Sequence, residues 1–406
     1  MTTTARLVAT LPLLAFGLGL TATLAANAGT PLPSEPGGPE ILVAVPTAPP
    51  PVPSGLRSAS AARASGVAWL KAAQLADGGW GAGAFGQAAG VQSDVATTSM
   101  AVLALARDGG VKGPHARSID RGLSFVIAAV MESPRDSARV RTPEGTQPQY
   151  KLGPMVDTHM AALVLSELAG QLPPARDAEV QIALDRVVGK VQLAQNADGS
   201  FEGSGWAPVL SSSVAAMSLV QAQEKGVDIA PEVLARADGY QDQQFDRSTG
   251  AFDASAGAGV ELYSMAYNLR ADADKKKRGV AGAGQAEAAA RSAVTGSRAD
   301  QVINGFGSVG GEEMLSYMMI SDTLAETGGE DWRSWDGRIS DWLTSIQNAD
   351  GSWAGHHCIT SQTFTTAVAL MTLGAGDHAG QPQVGRVDRR PDEGQVFGSP
   401  SFGLVR

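Results

Sequence analysis

A chain of 406 residues with 43% hydrophobic content is long and apolar enough to bury a substantial core, which excludes an intrinsically disordered protein. Its 41 acidic against 31 basic residues give a net charge of −10 and exclude nucleic acid as the main partner, because phosphate binding needs a basic face. The single cysteine, Cys358, rules out an intrachain disulfide, so stability has to come from packing.

Residues 1–28 read as a signal peptide. Arg6 forms a short positive start, Leu7 to Leu24 is an apolar run, and Ala26-Asn27-Ala28 is a small-x-small cleavage site. The protein is therefore expected to be exported, periplasmic or extracellular, with no integral membrane domain after cleavage. An uncleaved single span is the alternative, since the run is nearly long enough to cross a bilayer. Residues 29–56, with Pro49-Pro50-Pro51 among them, read as an extended Pro-rich linker. The folded body is assigned to residues 57–375. Residues 376–406, dense in Gly, Pro, Asp and Arg, read as a disordered tail.

Six helix pairs follow one another through the body. The first members, near 58–75, 118–131, 178–195, 230–244, 284–295 and 334–347, carry charges at helical spacing and so face solvent on one side. The second members, near 94–107, 156–169, 211–225, 260–269, 312–326 and 362–373, are apolar and small all round, as buried helices are. Three pairs are joined by one repeated phrase, Gln-x-x-Asp-Gly-x-aromatic: Gln74, Asp77 and Trp80; Gln195, Asp198 and Phe201; Gln347, Asp350 and Trp353. Asp-Gly supplies a turn, the aromatic ring folds back as a clamp, and the Gln amide serves loose helix ends. The fourth pair keeps a degenerate copy, Gly250-Ala251-Phe252, and the second has a long loop from Glu132 to Pro154 instead. An internal repeat of this kind predicts an all-α fold, six buried helices inside six amphipathic ones: an (α/α)6 toroid.

These turns between paired helices resemble the QW repeats of squalene–hopene and oxidosqualene cyclases, and those of protein prenyltransferase β-subunits. The resemblance covers the folded body and implies a central cavity at the inner-helix starts, which in relatives holds an isoprenoid chain. Two signatures depart from it. The Asp-x-Asp-Asp proton donor of the cyclases is absent; Asp272-Ala-Asp274 sits in a charged run with Lys275 to Arg278 that reads as a solvated connection. The stretch matching the prenyltransferase zinc ligands, Glu312 to Tyr317, puts Met314 where the thiolate belongs, and a thioether is a poor zinc ligand.

Gly355-His356-His357-Cys358 is the strongest candidate cluster. With Glu312, the residues His356, His357 and Cys358 form a candidate metal site, and zinc suits that donor set. A structural loop is the alternative. Asp94, Asp157 and His159 are the candidate catalytic residues, since acids at inner-helix starts can act as general acids once burial raises their pKa. Capping alone also explains the acids. Tyr263, Tyr267, Met314, Tyr317 and Phe364 are the expected cavity lining, a soft surface for an apolar ligand. Arg135, Arg139, Arg141 and Lys151 make the loop 132–154 either a lid over an anionic group or an ordinary insertion. Two functions compete. In one the toroid binds, or binds and transforms, an isoprenoid or other apolar small molecule, as an isomerase or transferase would. In the other it is a non-catalytic scaffold presenting its rim to another exported protein.

Overall fold

In a computed structural model, residues 58–84, 91–202, 204–257, 260–296, 303 and 309–381 are described, all of them within one unit, Val52–Arg406. The expected signal peptide and linker, and the tail beyond residue 381, lie outside the described residues. The six pairs follow in order. They are α1 (Ala59–Ala72) with α2 (Val95–Gly109), α3 (Ala116–Glu132) with α5 (Val156–Leu168), and α6 (Pro174–Leu193) with α7 (Pro208–Glu224). Then come α8 (Pro231–Asp242) with α9 (Glu261–Lys277), α10 (Ala283–Thr295) with α11 (Gly311–Thr327), and α12 (Gly329–Ser345) with α13 (Gln362–Leu373). A short helix, α4 (Gln147–Leu152), lies between α3 and α5.

The composition of the second members explains their position. Every residue of α5 is buried, and α2 and α11 are buried over nearly their whole length, which a helix lacking a polar face requires. Each of these helices packs on the next, α2 on α5, then α7, α9, α11 and α13, and α13 returns to pack on α2. The space they surround is filled. Ser213 on α7 donates to the Met319 sulfur on α11 at 3.5 Å, and Met314 and Phe364 have no exposed surface. At the helix C-terminal ends, Arg107 of α2 forks onto Glu167 of α5 at 2.7 and 2.8 Å and onto Asp322 of α11 at 2.9 and 3.1 Å. A buried guanidinium needs such full pairing to be tolerated.

The three repeated turns share one geometry. Gly78, Gly199 and Gly351 all take φ near +95°, in the left-handed region that favours glycine. A Cβ at these positions would also collide with a backbone carbonyl of the following outer helix, that of Arg121, Arg236 or Ser65. The preceding Asp accepts from the backbone N–H two residues on, at 3.0–3.1 Å in all three copies. Each Gln amide donates twice, to its own turn and to the next outer helix: Gln74 to Gly78 and Ser118, Gln195 to Gly199 and Val233, Gln347 to Gly351 and Ala62. Ala62 belongs to α1, so the last copy ties the sixth pair to the first. Trp69 of α1 adds a bond to Asp350 at 3.1 Å.

The indoles of Trp80 and Trp353 donate to Leu70 and Leu343 of the helix just ended, at 2.7 and 2.8 Å. Glycines accommodate the rings. A Cβ on Gly122 would lie 2.7 Å from the Trp80 ring, and one on Gly66 would lie 2.6 Å from Trp353. Ala237 holds the equivalent place in the copy that carries the smaller Phe201.

Four local differences from the sequence reading stand out. The inner helix of the fourth pair continues to Lys277 instead of ending near 269. The charged run is not a solvated connection: Asp272, Asp274 and Lys275 are buried, with Asp272 meeting Arg247 at 3.2 Å and Asp274 meeting Arg270 at 3.0 Å. The degenerate fourth turn is a hairpin of two-residue strands, β1 (Phe245–Asp246) with β2 (Ala251–Phe252), whose two Phe rings stack at 4.3 Å. Ordered structure also runs past residue 375, because α14 (Ala375–Ala379) packs on α2, α11 and α13.

Candidate functional site

Hydrogen bonds link the starts of neighbouring inner helices. Asp94 is the N-cap of α2 and accepts from Thr97 N at 2.7 Å and Ala82 N at 2.8 Å. Asp157, in the first turn of α5, accepts from Ala96 N of α2 at 2.9 Å, from Thr142 Oγ1 at 3.1 Å and from Gln149 Nε2 at 2.7 Å. Burial, reinforced by the nearby Asp157 carboxylate, pushes Asp94 up to about 7. Burial likewise pushes Asp157 upward, against the hydrogen bonds it accepts.

His159 does not join this pair. Two positions along a helix turn a side chain to the opposite face, and its Nδ1 lies 3.2 Å from Ser211 Oγ on α7, with the ring edge-on to Phe201. Burial drops it to about 3, so the imidazole is neutral. The sequence grouping of Asp157 with His159 is therefore corrected: Asp157 pairs with the start of α2, and His159 is a core residue facing the third pair.

A second group surrounds the start of α11. Glu312 Oε2 accepts from Ile359 N at 3.2 Å, and Tyr263 Oη donates to Glu312 Oε1 at 3.5 Å. His357 Nδ1 is 3.1 Å from Cys358 Sγ. One donor atom from each of Glu312, His357 and Cys358 lies within 4.8 Å of the others. Three of the four expected metal ligands thus converge. His356 does not; its side chain is exposed, and its backbone N–H donates to Val309 O at 2.8 Å. Cys358 has φ +60°, a left-handed conformation for a residue other than glycine, and burial pushes its thiol pKa up. Glu313 donates nothing to the cluster; its carboxylate accepts from Gly310 N at 3.0 Å, and burial together with Glu312 pushes it up to about 7.

The donor set fits a soft divalent ion. Thiolate, imidazole and carboxylate are zinc ligands at bond lengths of about 2.0–2.3 Å, so the atoms need to close by about an ångström around an ion. Lys151 is also here, its Nζ 3.6 Å from Glu312 Oε1 and near enough to the Cys358 thiol to favour its ionised form. Of the four cations in the loop 132–154, Lys151 is the one that meets the Glu312 group; Arg139 and Arg141 pair instead with Glu144 and Glu132 beside an open groove of about 290 Å³.

The expected lining residues are packed instead of bordering an opening. Tyr263, Tyr267, Met314, Tyr317 and Phe364 are at most 2% exposed, a packed interior and not an open wall. Tyr267 alone borders a void, of about 20 Å³, with Met217, Arg270 and Asp274; that is room for about one water. Tyr267 and Tyr317 turn toward the outer layer, Tyr267 packing on Tyr240 of α8 and Tyr317 on Trp335 and Trp342 of α12; the period of apolar residues is the same for a lined cavity and a filled core.

Solved structures resemble this arrangement. The type II terpene cyclase MstE from Scytonema superposes with a TM-score of 0.50 at 14% identity, covering 79% of this chain and 99% of that one. A point variant of MstE gives a TM-score of 0.52 at 14% identity, covering 79% and 97%. The fold is terpene-cyclase-like. No family model and no curated relative matches the chain. Among the described residues of this terpene-cyclase-like chain, no helix is long and apolar enough to cross a membrane.

Proposed function

We propose that the protein is an exported (α/α)6 toroid that binds an isoprenoid or similar apolar molecule, with the group around Glu312, His357 and Cys358 as the polar end of its site. One observation carries this reading: a carboxylate, an imidazole and a thiol converge within 4.8 Å, with the buried Tyr263 bonded to the carboxylate and the buried Met314 two residues on from it. Glu312, His357 and Cys358 would hold a zinc-type ion, which supplies Lewis-acid polarisation to the ligand's polar group. Tyr263, hydrogen-bonded to Glu312, positions that carboxylate from below. The likeness to MstE, a terpene cyclase by name, supports an apolar small molecule as ligand. The closed circuit of inner-helix contacts supports the toroid, and the apolar N-terminal run with its small-x-small end supports export.

The packed axis favours a second reading, a scaffold whose rim engages another exported protein. A solid interior offers an isoprenoid no room unless flexible side chains such as Met314 and Met318 yield. Zinc titration against a competing chelator separates the two. Stoichiometric binding by the wild type, lost in Glu312→Gln and Cys358→Ser, supports the first. Absence of zinc and of any bound apolar molecule, with an exported protein retained at the rim, supports the scaffold.

A further inference from the structure

Helix α4 closes the end of the ring at which the inner helices start. It packs against α5, α7 and α11. Its Gln147 side-chain oxygen accepts from Thr360 N and Ser361 N at 2.8 and 3.0 Å, just before α13. Gln149 binds Asp157 of α5, and the Lys151 carbonyl accepts from Trp206 N and Ala207 N at 2.8 and 3.1 Å, just before α7. A six-residue helix has almost no stability of its own, so these contacts hold it in place. Gly145 and Gly153 bracket it at φ +75° and +98°, conformations open to glycine and able to absorb rotation.

A side chain in its last turn carries a charge of the same sign as a metal. Lys151 is 7% exposed, and its ammonium lies 3.6 Å from Glu312 Oε1, favours the ionised form of the neighbouring Cys358 thiol and rests 4.8 Å from the centre of the Trp206 ring. It thus sits against the carboxylate that a zinc-type ion requires and beside a second of the three donors. A divalent ion on those donors would repel an ammonium at that distance, so the two cannot occupy the cluster together.

We infer that α4 is a cation-responsive plug: Lys151 serves as the resident cation of the Glu312–His357–Cys358 cluster, and a zinc ion entering the cluster displaces it and releases α4 from the mouth. This rests on the zinc reading of the proposed function. As zinc binds, the Cys358 thiol proton passes to solvent, the Lys151 ammonium leaves Glu312 and Trp206, and the interior around Tyr263 and Met314 loses its cover. Loading the ion and opening the apolar interior become one event.

The test uses the full chain, with chelator-buffered Zn²⁺ as the probe. The variants are Lys151→Met and Lys151→Gln, each checked for an unchanged thermal melt, with Glu312→Gln as the control. Removing the competing charge is expected to tighten zinc binding roughly tenfold. In the wild type, zinc is expected to change the Trp206 emission, read as the difference from Trp206→Phe, and to speed amide exchange over residues 146–152. Equal zinc affinity in wild type and both Lys151 variants, with α4 still protected, overturns the plug and leaves the zinc site standing. No zinc binding in wild type or in folded Lys151→Met overturns the zinc reading and the plug with it.

Discussion

Gln347→Ala is expected to loosen the ring at its seam. Gln347 Nε2 donates to Gly351 O and to Ala62 O, both at 2.8 Å, and the second of these bonds joins the last turn to α1, the first helix of the body. A buried hydrogen bond of ordinary length contributes about 1 kcal/mol net, so losing both costs about 2 kcal/mol. Gln195→Ala removes the matching pair to Gly199 and Val233, and is expected to cost a similar amount. The two differ in where the damage goes. Urea unfolding gives the total, from the midpoint shift at constant slope. Hydrogen exchange gives the location: Gln347→Ala speeds exchange in α1, whose remaining ties to the last turn include Trp69 to Asp350, and leaves α8 protected, whereas Gln195→Ala does the reverse. A loss below about 0.5 kcal/mol, or unchanged protection of α1, would refute the closure argument.

The remaining expectations concern the acid pair and the indole seats. Asp94 is lifted from 3.8 to about 7, so as pH rises from about 4 the unfolded chain gives up its proton while the folded chain keeps it. Stability therefore falls across that window, by up to about 1.4 kcal/mol per pH unit for one proton, and levels off above about 7; Asp94→Asn is expected to flatten the slope in a series of urea melts. Gly122→Ala forces a methyl against the Trp80 ring and is expected to cost about 1–3 kcal/mol. The double variant with Trp80→Phe should lose less than the sum of the two single losses, and strict additivity in the thermal melts would dismiss the paired-seat explanation.

Much of the fold could be read from the chain because each of its decisions repeats. Gln, Asp-Gly and an aromatic ring at fixed spacing signal one turn three times over, and burial on all sides marks the inner helices by composition alone. What escaped was settled by single contacts. Helix α4 is too short to show a period, and its stop and start rest on Thr146 as N-cap and on two glycines. The charged end of α9 looked solvated because nothing in the sequence reveals that Arg247 and Arg270 come to meet Asp272 and Asp274. The candidate metal group was legible as a set of residue types, but the choice of His357 over its neighbour depends on the unusual backbone of Cys358 and on the hold of Val309 on residue 356. Whether the apolar inner faces lined a space or filled it was beyond any pattern.

Native mass spectrometry of the protein purified from its own host decides whether a metal-bearing polar end and an apolar ligand occur together. One zinc per chain is expected, together with a co-purifying apolar molecule of isoprenoid type, both released when Glu312 is changed to Gln. A protein carrying neither zinc nor lipid, with Cys358 intact as a free thiol, would contradict it.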